Sequence, residues 1–103
     1  MSPRPLTAAE FEADPDVSDW TVRGGSVVAE FIVRPYAAAA ALVAAIGEAA
    51  DAADHHPELW LRFPGVVRVE FTTHSIGNGL SSLDAEMART VSRLASQHGA
   101  APR

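Results

Sequence analysis

The stretch 51–74, DAADHHPELWLRFPGVVRVEFTTH, joins the end of one kind of local structure to two pieces of another. Its second part, ELWLRFPGVVRVEFTTH (58–74), turns at Pro64-Gly65. Proline presets one backbone angle of a turn, and glycine accepts angles closed to other residues. Beyond the turn, Val67, Val69, Phe71 and Thr73 alternate with Arg68, Glu70, Thr72 and His74. That is the period-two pattern of a strand with one buried face, so the segment predicts an antiparallel hairpin. The first part, Asp51 to His56, closes an alanine-rich run of helical periodicity.

A hairpin returns the chain to where it began. If the two strands pair about Pro64-Gly65, then His55, His56 and His74 come to one edge of the sheet. The acids nearby are conspicuous, because a helix C-terminus carries partial negative charge and disfavours Glu48, Asp51 and Asp54. Adjacent imidazolium groups would offset that cost, and the same carboxylates favour a charged imidazole. A histidine balanced near neutrality is what general acid–base catalysis requires.

Upstream, Pro35 suits the first turn of a helix running to about Asp54. Tyr36, Ala39, Val43, Ile46 and Ala50 share one of its faces. Before it, DWTVRGGSVVAEFIVRP (19–35) reads as two strands around Gly24-Gly25. Thr7 and Glu10 have the spacing of a capping box, so a short helix starts there and ends at Pro15. Residues 1–6 read as a loose arm. Downstream, SIGNGL (75–80) is a glycine-rich loop, and Ser81 caps a last helix with Asp84 in the box position. Leu83, Met87, Val91 and Leu94 form its buried stripe, and the tail 99–103 frays. The order α-β-β-α-β-β-α predicts an α+β domain spanning 1–103, a four-stranded antiparallel sheet with helices packed on one face.

The 103 residues suffice for one hydrophobic core, and 48% apolar with 20% charged residues is a globular composition. No cysteine is present, which removes disulfides, thiolate metal sites and thiol nucleophiles. The net charge of −5 and scattered arginines argue against direct nucleic-acid binding. The longest apolar run, Tyr36 to Gly47, is too short to span a bilayer, and MSPRPLTAAE lacks the core of a signal peptide. A cytoplasmic protein with a small-molecule partner is expected.

Some residues have plainer explanations. His98, in the tail, needs no role. Asp84 is accounted for as a capping residue, and Tyr36 and the alanine stripe as core. Three histidines raise the question of zinc, but His55-His56 lacks the i, i+4 spacing that places two imidazoles on one helix face, and no H-E-x-x-H occurs. No metal ligands are assigned.

Asp51, His55-His56-Pro57, Phe63, His74 and Asp84 together resemble the signature of the pterin-4a-carbinolamine dehydratases, also called 4a-hydroxytetrahydrobiopterin dehydratases. Phe31, Tyr36 and the segment LSSLD (80–84) fit the same pattern, and the similarity runs from about Leu6 to Ala95. Two loops, at PGVV (64–67) and HSIGNGLSSLD (74–84), are each one residue longer than the common form. The resemblance implies a hydro-lyase that converts a 4a-hydroxytetrahydropterin to quinonoid dihydropterin and water, in tetrahydropterin recycling, with no metal or coenzyme. It makes His55 and His74 the acid–base pair, able to exchange roles for the two 4a stereoisomers, while His56 mainly holds the pterin. Asp51 would orient His55, Asp84 would anchor the loop after His74, and Pro57 and Trp60 would support the substrate. It also implies a homodimer or homotetramer. The rival reading is a non-catalytic assembly or regulatory protein on the same fold, like the relatives that assist Rubisco assembly or act as a transcription cofactor. Relatives that have abandoned catalysis tend to lose the histidines, and all three are present here.

Overall fold

The computed structural model describes residues 3–103. Its elements are α1 (Ala8–Glu12), β1 (Thr21–Arg23), β2 (Ser26–Ile32), α2 (Tyr36–Ala53), β3 (Glu58–Arg62), β4 (Val66–Phe71), α3 (Ser82–Gln97) and β5 (Ala101–Pro102). Short 3-10 turns cover Pro15–Val17 and His74–Ile76. The sheet is antiparallel with strand order β1-β2-β4-β3, and β5 pairs with β2. In register, Glu58 faces Glu70 and Arg62 faces Val66, so both ends of the expected hairpin are confirmed.

One sheet face makes the core. Val27, Ala29 and Phe31 of β2 and Val67, Val69 and Phe71 of β4 are all buried. Ala39, Leu42, Ile46 and Ala50 of α2 and Met87, Ala88, Val91 and Ala95 of α3 complete the same cluster. Trp20 closes one side, edge-on to Phe31 with centroids 6.4 Å apart, and its Nε1 donates to Ser92 Oγ at 3.0 Å. Both predicted capping boxes form, at Thr7 with Glu10 and at Ser81 with Asp84. Each satisfies backbone donors that a helix start otherwise leaves unpaired.

Several expectations are corrected. The stripe of α2 includes Leu42, whereas Tyr36 is exposed in the first turn, 6.5 Å from the ring of the exposed Phe63. The helix runs 18 residues, longer than the apolar run alone, and by length and composition it could cross a membrane. A core helix lying on a sheet meets that same test, and α2 packs on the sheet through its buried stripe. The tail does not fray: β5 adds a fifth strand beside β2, and Arg103 N donates to Glu30 O at 2.8 Å. The arm is tied as well, since Leu6 N donates to Leu80 O and Ser82 N to Arg4 O. Met1 and Ser2 lie outside the described residues.

Candidate active site

The end of α2 sorts the adjacent histidines. Asp54 takes a left-handed conformation at φ 50°, which aspartate tolerates better than most residues. Its N–H returns to the last helical turn and that of His55 to Ala50 O, closing the helix. The chain then enters β3 with His55 turned inward, 8% exposed, and His56 turned out to solvent.

His55 is held on two sides. Its ring stacks on Phe71, with centroids 5.6 Å apart and planes 14° from parallel. Its Nε2 lies 2.7 Å from Asp84 Oδ1. Asp84 is fully buried, and its Oδ2 accepts from Thr73 Oγ1 at 2.7 Å and from Ser81 N at 2.9 Å. Thr73 Oγ1 has one proton, given to Asp84, so it accepts at 2.6 Å from Ser81 Oγ. Every neighbour of the carboxylate is therefore a donor, and an acceptor-only carboxylate holds the His55 proton on Nε2. Among the described residues, the buried side-chain nitrogen or oxygen lacking a partner is Arg68 Nε. His55 Nδ1, for which the described residues provide no partner, is not among such buried atoms and so is reached by solvent.

The other two histidines are exposed. His56 Nε2 lies 2.8 Å from Asp51 Oδ1. His74 does not end β4 but opens the following 3-10 turn, and its Nδ1 meets Asn78 Oδ1 at 2.5 Å. All three imidazoles line one cleft of about 380 Å³, with Pro57, Glu58 and Leu83 among its walls. That volume falls within the roughly 300–1,000 Å³ typical of small-molecule sites. The depressions on the helix-free sheet face are lined by residues such as Glu30 and Arg68 and contain no histidine.

The predicted site residues thus separate. His55, His56, His74 and Pro57 share the cleft, and Asp84 lies buried beneath it. Asp51 does not orient His55: its partner is His56, because the left-handed turn at Asp54 swings His56 back over the last helical turn. Asp84 does more than cap α3, since it also holds His55. Trp60 does not reach the cleft. Side chains alternate along β3, and Trp60 falls on the helix-free face under Arg68, whose guanidinium carbon is 5.0 Å from the ring centroid. Thr73 is not anticipated at the site and Ser81 only as a helix cap, although a Thr-x₇-Ser-x₂-Asp spacing that brackets a loop is visible once the hairpin is placed. Among the described residues, no group of three or more His, Asp and Glu side chains is disposed to hold a metal ion.

A small α+β domain with a histidine cleft at one sheet edge, over a buried carboxylate, defines a recognisable class. The sequence profile of pterin 4 alpha carbinolamine dehydratase matches residues 4–94, and the chain belongs to that family. A Streptomyces avermitilis protein, provisionally named a pterin-4-alpha-carbinolamine dehydratase, is 33% identical over 101 residues, 97% of this chain and 99% of that one. A Nocardia farcinica protein with the same provisional name is 38% identical over 80 residues, 78% of this chain and 82% of its own length. A crystal structure from Brucella melitensis, described as a transcriptional coactivator/pterin dehydratase, superposes with a TM-score of 0.80 at 29% identity. It covers 89% of this chain and 99% of that one.

Proposed function

We propose that this cleft dehydrates a 4a-hydroxytetrahydropterin to the quinonoid dihydropterin and water by histidine general acid–base catalysis. The observation that carries the reading is the pairing of buried His55 with Asp84 beside solvent-facing His74, in a chain of this family. The reaction breaks the C4a–O bond. A proton delivered to the departing hydroxyl makes it water, and a base takes a proton from the pterin ring as the new double bond forms. This reading is supported by His55 and His74 lining the same cleft. Asp84 keeps one proton of His55 on Nε2 and fixes the ring plane, so Nδ1 is the nitrogen that works. It gives up the second proton of the imidazolium to the departing hydroxyl, and accepts one when the ring is neutral. A carboxylate in this position also stabilises the imidazolium that forms when a histidine takes up a proton. His56, oriented by Asp51 at the rim, is assigned to holding the pterin. The chain's own side chains account for these steps without metal or coenzyme.

The likeness to the Brucella coactivator/dehydratase supports a second reading, a regulatory role on the same fold. Retention of all three histidines, with a buried partner for one of them, favours catalysis. The test is the decay of a freshly generated 4a-hydroxytetrahydropterin with and without the protein. Acceleration that saturates with substrate supports the dehydratase. Pterin binding without acceleration would leave a ligand-binding or regulatory protein.

A further inference from the structure

We infer that Asn78 is a positioning residue: its side-chain carbonyl holds the proton of His74 on Nδ1 and thereby presents Nε2 to the cleft as the base. This rests on the proposed acid–base role of His74 and adds to it the atom that acts and the residue that selects it.

A neutral imidazole carries one proton on either nitrogen, and only the other nitrogen can accept. A solvent-exposed histidine with no fixed partner exchanges between the two forms. His74 is exposed, yet its Nδ1 meets Asn78 Oδ1, and an amide oxygen only accepts. Nδ1–H is therefore the donor and Nε2 keeps its lone pair. His55 is set the opposite way, with Nε2–H bound to Asp84 Oδ1 and Nδ1 left open. The two imidazoles thus offer different nitrogens to one cleft, and their partners differ in charge. His55 faces a carboxylate and His74 a neutral amide.

The loop is built to hold Asn78 in place. Thr73 and Gly79 form a bridge, with Thr73 N donating to Gly79 O at 2.9 Å, so residues 74–78 are a closed excursion. Gly77 N returns to His74 O, and Asn78 follows in the left-handed region at φ 60°. Asparagine tolerates that conformation, and it brings the amide back toward the imidazole four residues earlier. The β1–β2 hairpin supports the loop from outside. A Cβ on Gly25 would lie 1.9 Å from Asn78 O, so the backbones approach more closely than any side chain allows. Thr72 Oγ1 donates to Gly25 O at 2.6 Å and ties the same turn to the end of β4. The glycine pair read from sequence as a hairpin turn is thus also the seat of the loop that carries the base.

The experiment compares the parent chain with Asn78→Gly and Asn78→Asp. Glycine keeps the φ 60° backbone and removes the acceptor; aspartate keeps the acceptor and adds charge. Long-range ¹H–¹⁵N correlation of the His74 ring reads the tautomer directly and needs no turnover. The expected result is Nδ1–H in the parent and a shift toward Nε2–H in Asn78→Gly. Loss of one hydrogen bond of this kind lowers kcat about three- to tenfold, with KM little changed. The ionisable groups sharing the cleft with His74 are Asp54, His55, His56 and Glu58, and neither substitution alters them. Asn78→Asp should retain Nδ1–H and favour the imidazolium, moving the acid limb of the kcat profile to higher pH. The tautomer in Asn78→Gly is the readout that a purely structural asparagine would not move. An Nε2–H tautomer in the parent, or an unchanged tautomer in Asn78→Gly, overturns the inference. A parent with Nδ1–H but no dehydratase activity overturns the proposed function instead.

Discussion

Asp84 and His55, 29 residues apart in sequence, meet at 2.7 Å beneath the cleft, and the carboxylate also receives Thr73 and the Ser81 backbone. One residue therefore serves three elements: the start of α3, the end of β4 and the turn after α2. Its removal should be felt in both stability and chemistry, and the two can be separated by the substitution chosen.

Asp84→Ala leaves several buried donors without an acceptor and should cost roughly 3–5 kcal/mol, the usual loss when a buried pair is broken. Asp84→Asn preserves volume and should cost less, about 1–3 kcal/mol, because an amide cannot accept at every position the carboxylate did. Urea unfolding measures both. The asparagine protein, still folded, should show reduced turnover, since the His55 tautomer is no longer enforced. Full turnover in Asp84→Asn would make the carboxylate purely structural.

Asp51→Asn should behave quite differently. Its partner is His56, and both side chains are well exposed, 80% and 57%. Exposed pairs contribute only about 0–1 kcal/mol, so the unfolding midpoint should scarcely move. The kinetic effect belongs in KM, through a less ordered His56, with kcat retained. A fall in kcat matching that of Asp84→Asn would reassign Asp51 to His55.

The Asp14 carboxyl is held below the ordinary aspartate range, first by the backbone N–H of Asp16 and then by the Arg89 guanidinium. A lowered folded-state value means stability that is present above the unfolded value and lost as pH falls through the folded one. Asp14→Asn should therefore be less stable than the parent near neutrality, and the gap should narrow as pH falls below the unfolded aspartate value of about 3.9 and close once the folded carboxyl is protonated as well. Paired urea titrations across that range check the sign; a gap that widened on acidification would contradict it.

Dehydratase activity should survive exhaustive treatment with EDTA. Loss on chelation, restored by a divalent ion, would replace the histidine mechanism with a metal-assisted one.

Much of this was legible in the sequence. The alternation on either side of Pro64-Gly65 predicts the hairpin, and the hairpin predicts the convergence of His55, His56 and His74. The fold class, both capping boxes and the Gly24-Gly25 turn follow from equally local signals. What could not be read was the assignment of acids to histidines. Asp51 stands four residues before His55, which suggests a partner one helical turn away. That reasoning assumes the helix continues, whereas it reverses at Asp54, and the true partner of His55 is 29 positions downstream. β5 was hidden for a different reason: Ala101 and Pro102 carry no strand pattern, and the backbone alone pairs them with β2. The resemblance puts Trp60 with the substrate, although its parity along β3 directs it to the other face.

The central claim is that two histidines with different partners share one proton-transfer task, and turnover of single and double variants tests it most directly. His55→Ala and His74→Ala should each lower kcat, with His56→Ala raising KM instead; loss of a positioned acid or base typically costs about two to four decades. His74→Ala is the cleaner single variant, because His74 is exposed and its removal strands no buried carboxylate. If each residue can partly substitute for the other, the double variant should lose far more than either single one, down to the uncatalysed rate of dehydration. Near-parent kcat in both single variants, or catalysis persisting in the double variant, would contradict the account.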